Sequence, residues 1–160
     1  MKVEKVLDIH SKGEYPANVL SNFYPNAFVF DAVPCASMEG LLQSLKTKKI
    51  DLQKKICGYC GKNAKFFFRH KFQNLRWKLT GKLYWKGRVI NRYSDEYQCF
   101  LDEAYKALCN NKTFVDALIK ANGVELTHYI GRKDMRKTVL TEYEFISRLK
   151  KCREWAVNRQ

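Results

Sequence analysis

No run of this chain approaches the ~20 consecutive apolar residues that a bilayer-spanning helix needs, so hydropathy excludes a membrane-spanning reading. The opening Met-Lys-Val-Glu-Lys-Val-Leu-Asp lacks an apolar signal core, and the expectation is a cytoplasmic protein. Glycine-rich phosphate loops of the Walker or dinucleotide type are missing, which leaves ordinary ATP or NAD handling without support. The three histidines, His10, His70 and His128, are scattered, with no serine or cysteine near them in a nucleophile context. That argues against a catalytic triad. Internal repeats, linkers and low-complexity tracts are also lacking, so residues 1–160 read as one domain.

Acid is scarcest where base is richest. Residues 46–92 carry fifteen Lys or Arg and one acid, Asp51, whereas the rest of the chain is balanced, so the whole net charge of +14 resides in that segment. Eight aromatics are interleaved there, from Tyr59 through Phe66, Phe67, Phe68, Phe72 and Trp77 to Tyr84 and Trp85. Clustered cations with π-faces between them suit a polyanion that offers bases to stack on, so a phosphate-bearing ligand or DNA contact is expected along this segment. With 46% hydrophobic residues the chain has enough apolar material for a packed core, and six cysteines without an export signal read as reduced thiols.

Local patterns predict an α+β domain dominated by helices, with a small β-sheet. Weak alternation suggests a strand over 2–10, Gly13, Pro16 and Asn18 mark a loop, and Leu20–Pro25 reads as a turn or binding loop. Ala27–Phe30 is a brief strand that turns at 31–34 into a helix capped by Ser37. Asp51 is read as the cap of a second helix reaching about Tyr59, and Lys62–Trp77 as irregular and basic, with one or two short helices. An extended segment follows over 83–90 with Gly87 as a turn or bulge. Ser94 starts a long amphipathic helix that Asn110-Asn111 end, a further helix runs from Thr113 to Ala121, and Leu126–Ile130 reads as a strand. Thr141 and Glu144 form a capping box for the last helix, with Phe145, Leu149 and Cys152 facing inward.

The stretch Cys35–Lys46 holds the most chemistry. Met38, Leu41, Leu42 and Leu45 make one apolar face, and Glu39, Gln43 and Lys46 fall in a stripe beside it. An acid, an amide and a cation on the rim of a buried helix can hold a polar ligand. Spacing alone also allows an exposed face with a weak Glu/Lys contribution. Asp134, among Arg132, Lys133 and Arg136, is a second candidate carboxylate, and a solvated loop acid is the simpler account of it. Carboxylates are the usual tools for glycosidic bonds, because they stabilise an oxocarbenium-like centre or activate water. Cys57-Gly-Tyr-Cys60 falls at the end of a helix, not at its start, which argues against a redox dithiol. Without a second close cysteine pair zinc is no better supported, and both cysteines read as packing residues.

Several segments together resemble the NADAR (YbiA-like) family. They are Leu20-Ser-Asn-Phe-Tyr-Pro25, Ser37-x-Glu39-x-x-x-Gln43-x-x-Lys46, Gly61-Lys-Asn-Ala-Lys65, Leu83-Tyr-Trp-Lys-Gly87, Leu101-Asp-x-Ala-Tyr105, Leu126-Thr-His-x-Ile-Gly131, Asp134 and Thr138-x-Leu-Thr-Glu142. The resemblance spans about residues 18–150. It implies an α+β fold and hydrolysis of N-glycosidic bonds without cofactor or metal. Within it, removal of ADP-ribose from guanine, on DNA or a nucleoside, is the first expectation, with a paired ADP-ribosylating toxin as a partner. Cleavage of phosphorylated riboflavin intermediates and a non-catalytic ADP-ribose or nucleic-acid binding module are the alternatives. The resemblance places Glu39, Lys46 and Asp134 in the catalytic centre, and Ser21, Asn22, Phe23, Gln43 and Trp85 around the substrate. Lys46 is expected to bind a ribose hydroxyl or phosphate, since the attraction of Glu39 would oppose any loss of its proton. Ala32 stands where a glycine is common in the family, so that turn is expected to differ.

Overall fold

Eight helices and three separate two-stranded sheets make up residues 5–160, which the computed structural model describes. The single small sheet expected from the sequence is thus three strand pairs, none wide enough to form a layer. Strand β1 (Val6–Asp8) lies parallel to β6 (Glu125–Thr127), and the Ile9 amide extends the pair by donating to the Thr127 carbonyl at 2.8 Å. Of the strand expected over 2–10, residues 1–4 lie outside the described part. β6 is also shorter than expected, since Tyr129 and Ile130 turn out into solvent.

Two hairpins supply the other pairs. β2 (Phe28–Phe30) pairs antiparallel with β3 (Val33–Cys35) across Asp31-Ala32, and β4 (Lys82–Trp85) pairs with β5 (Arg88–Asn91) across Lys86-Gly87. Both central residues of each turn have positive φ, 47° and 60° in the first and 47° and 85° in the second. That is the twist-matching two-residue hairpin geometry, and it explains why β3 is missed by a reading that takes Pro34 as a turn residue. Ala32 occupies the left-handed position without glycine's freedom.

Four of the eight helices start on a side-chain cap. After a one-turn α1 (Ala17–Leu20), where a loop was expected, Ser37 caps α2 (Met38–Ser44), accepting from the Gly40 amide at 3.1 Å. Lys49, not Asp51, sits at the cap of α3 (Ile50–Cys57), and Asp51 falls in its first turn, where an acid favours the positive helix end. The basic stretch resolves into α4 (Gly61–Lys65) and α5 (Phe72–Thr80). Ser94 caps α6 (Asp95–Leu108), Asn111 caps α7 (Lys112–Lys120), and Thr141 with Glu144 forms the capping box of α8 (Glu142–Asn158).

The core includes Met38, Leu41 and Leu42 of α2 and the following Leu45, all at most 1% exposed, in one cluster with Tyr97, Leu101 and Ala104 of α6 and Phe145 and Leu149 of α8. A buried ion pair fastens α8 to the second hairpin. Arg92 grips Glu144 through two bonds of 2.9 and 2.8 Å, and Gln98 adds a third at 2.8 Å. Burial pushes the Glu144 carboxyl up, yet Arg92, the Thr141 amide and Gln98 hold it below its usual range. Removing either partner would strand a buried charge.

Candidate active site

Helix α2 can present a polar face only because its other faces are fixed. Ser37 Oγ donates to the Tyr59 carbonyl at 2.8 Å, and a Cβ on Gly40 would come within 2.5 Å of that same oxygen and 2.8 Å of the Ile56 carbonyl. The first turn of α2 therefore rests directly on the end of α3, a closeness only glycine permits. With that contact set, Glu39, Gln43 and Lys46 face a cleft of about 550 Å³, within the size range of small-molecule sites.

Each side chain of the stripe is held. Gln43 Nε2 donates to Glu39 Oε1 at 2.9 Å. The Glu39 amide donates to the Asn22 carbonyl at 3.1 Å, which ties the 20–25 loop to the helix, and Asn22 Oδ1 accepts from the buried Tyr105 hydroxyl at 2.8 Å. Lys46 Nζ donates to Asn74 Oδ1 at 3.1 Å, an oxygen that also accepts from Trp77 Nε1 at 3.1 Å. Ser21, Asn22 and Phe23 form one wall. The 128–141 segment forms another, and Lys65, Arg69, Lys78, Arg132 and Lys137 bring positive charge to the lining.

Burial and charge oppose each other at both ionisable groups. Desolvation raises the Glu39 carboxyl above its usual value, against donation from Gln43 and the nearby Lys65 and Lys46 cations. Desolvation likewise depresses Lys46 to about 8, although Glu39 pulls the other way. From the sequence, the attraction of Glu39 is expected to keep the proton on Lys46. Burial overrides it, because Lys46 is 8% exposed and makes no ion pair with Glu39 within 4 Å.

The cleft thus brings together six of the eight residues singled out from the sequence: Glu39, Gln43, Lys46, Ser21, Asn22 and Phe23. Two lie elsewhere. Trp85 is buried between the hairpins, its indole donating to Asp31 Oδ2 at 2.9 Å and its ring packed on Phe30 and Phe100. Asp134 does not line the cleft. It is paired with Arg136 through two 3.1 Å bonds and also accepts from the Arg136 amide, which holds its carboxyl below the usual range.

Two residues set aside in the sequence do line the cleft, His10 and His128. The His128 Nδ1 lies 2.6 Å from the Ile9 carbonyl, so that nitrogen carries the proton, and its ring meets the edge of Phe145 at 5.1 Å. A Cβ on Gly131 would approach His128 Cδ2 at 2.6 Å, so the glycine lets the loop close over the ring. The Leu126–Gly131 motif was the available signal. Among the cysteines, Cys57 sits beside Cys35, not Cys60, and both are buried. Among the described residues no group of three His, Cys, Asp or Glu is arranged to hold a metal ion, and no helix is long and apolar enough to cross a membrane.

Comparisons with known proteins agree with this architecture. The NMR structure of the E. coli protein YbiA matches with a TM-score of 0.60 over 99% of this chain and 89% of that one, at 11% identity. The domain therefore has the α+β fold of YbiA. A family profile described as Bacteriophage protein GP30.3 matches residues 14–154. An uncharacterized 17.1 kDa protein of the Gp30-rIII intergenic region in Enterobacteria phage T4 is 36% identical over 152 residues, 92% of this chain and 97% of that protein. The chain belongs to the bacteriophage GP30.3 family.

Proposed function

We propose that the protein is an N-glycosidase that hydrolyses the bond between ADP-ribose and a guanine nitrogen, on DNA or a nucleoside. The observation that carries this reading is the placement under one cationic rim of a partly desolvated carboxylate, in the first turn of α2, and a buried ammonium, two residues past the end of that helix. Glu39 is the group that faces the anomeric carbon. As the C–N bond breaks, its electron pair passes to guanine, and the carboxylate balances the positive charge that develops on the ribose. Water then adds its oxygen to that carbon and gives a proton to Glu39.

Lys46 supplies the other proton. An ammonium with a pKa of about 8 is largely charged at neutral pH yet close enough to that range to release a proton to the leaving base. Gln43 keeps the carboxylate aimed, Phe23 and its neighbours wall the base or ribose, and the cations along the lining take the diphosphate. His128 also lines the cleft, its Nδ1 engaged by the Ile9 carbonyl.

Incubating the protein with ADP-ribosylated guanosine and following free ADP-ribose tests the proposal directly. Release is expected. A parallel incubation with phosphorylated riboflavin-pathway intermediates covers the alternative that the cationic rim also suits, and cleavage of those compounds alone would transfer the assignment to them. Tight binding of ADP-ribose without turnover of either substrate would leave a binding module.

A further inference from the structure

We propose that α5 is a wedge that docks duplex DNA beside the cleft and fills the gap left when the target base turns out of its stack. This rests on the N-glycosidase reading of the cleft. A helix in a folded domain ordinarily buries its apolar stripe. Here the stripe points outward: Phe72, Leu75 and Leu79, at i, i+3 and i+7, are 67%, 54% and 75% exposed, and Trp77 is the buried residue of the helix. Large apolar side chains grouped in solvent on one face mark a surface built to be covered.

The charge around the stripe selects the occupant. Residues 61–80 hold six Lys or Arg and no acid. The Arg76 guanidinium lies 5.8 Å over the Phe72 ring on one flank, and Lys78, on the other flank, also lines the cleft. A polyanion matches that pattern. The cleft makes the choice narrower, because Asn74 and Trp77 of the same helix line it and Asn74 Oδ1 accepts from Lys46 Nζ, so whatever covers the outer face of α5 lies beside the cleft.

A base stacked in a duplex must leave the stack before the half-buried Glu39 carboxylate inside the cleft can reach its glycosidic bond. Leu75 and Leu79 have no π-face with which to hold successive bases of a single strand. Aliphatic and phenyl side chains projecting from a basic element are suited to insertion between base steps. Lys71, Arg76 and Lys78 then neutralise the flanking phosphates.

The test uses the triple substitution Phe72→Ala, Leu75→Ala and Leu79→Ala, at positions exposed enough to leave the fold intact, as circular dichroism would verify. Binding is measured to a duplex DNA oligonucleotide carrying 2-aminopurine next to a central guanine, with turnover of ADP-ribosylated guanosine alongside. The wild type is expected to bind and to raise 2-aminopurine fluorescence. The variant is expected to bind more weakly by about tenfold or more, the loss of roughly two buried methylene-sized contacts, with no rise in fluorescence and unchanged nucleoside turnover. Equal duplex binding by both proteins would overturn the proposal. So would stripe-dependent dimerisation or binding to anionic vesicles in place of DNA. A stripe-dependent opening of the duplex without nucleoside turnover by the wild type would support the wedge while contradicting the catalytic reading of the cleft.

Discussion

The Gln43 carboxamide donates to Glu39 Oε1 at 2.9 Å across one helical turn, while its own oxygen is buried and, among the described residues, without a partner. The amide is thereby oriented with its donor toward the carboxylate, and a buried acceptor is left to whatever fills the site. Gln43→Glu keeps the shape, removes the donor and sets a second carboxylate against the first. Two such groups cannot both ionise cheaply, so the Glu39 carboxyl rises further. The acid limb of the pH–rate profile for ADP-ribose release is expected to move upward by about one pH unit or more. An unchanged limb would show that Gln43 does not set the state of Glu39.

Lys46 links function to stability. Its folded-state pKa of about 8 lies below the ordinary 10.5, so between those values the unfolded chain binds more protons than the folded one. The contribution of this residue to stability therefore increases with pH across that window, and at neutral pH the buried cation is a cost of up to about 3 kcal/mol. Lys46→Met should raise the unfolding free energy at pH 7, and the gap to wild type should close as pH approaches 10.5. Urea denaturation at several pH values checks both statements. The same variant should lose most of its turnover.

Gly40→Ala places a methyl group 2.5 Å from the Tyr59 carbonyl and 2.8 Å from that of Ile56, both backbone atoms that cannot swing away. Displacement of α2 should cost about 1–3 kcal/mol and lower activity with it. Thermal denaturation gives the first and the release assay the second. A variant of wild-type stability would mean that α2 has more freedom on α3 than the contact implies.

Ala32→Gly should act in the opposite direction. Ala32 has a φ of 60° in the β2–β3 turn, and relief of its left-handed strain is worth about 1 kcal/mol. The melting temperature should rise by a few degrees, with activity unaltered, because the turn lies away from the cleft.

The parts of this molecule that were legible in the sequence are those decided within one or two turns of chain. Ser37, Ser94 and the Thr141–Glu144 pair announce their helices because the cap and its amide are three residues apart. Glu39 and Gln43 line up through helical spacing, and Lys46 joins them two residues past the end of α2. What was illegible depends on partners far along the chain. Arg92 reads as one more cation of the basic segment until it meets Glu144, 52 positions on. Trp85 resembled a stacking platform, but Asp31, 54 positions earlier, claims its N–H. His128 reaches the cleft through pairing with Ile9, 119 positions away. The outward face of α5 is harder still, since a Phe/Leu/Leu stripe looks the same in sequence whether it meets the core or the solvent.

The central claim is that Glu39 performs the chemistry. Glu39→Gln retains an acceptor for Gln43 and removes a carboxyl whose burial is unfavourable when charged, so the variant should fold at least as stably as wild type. The decisive measurement is ADP-ribose release from ADP-ribosylated guanosine by this variant beside the wild type, with circular dichroism confirming the fold. Release by the wild type and none above background by the folded variant is the expected result. Release at the wild-type rate by Glu39→Gln would contradict that claim.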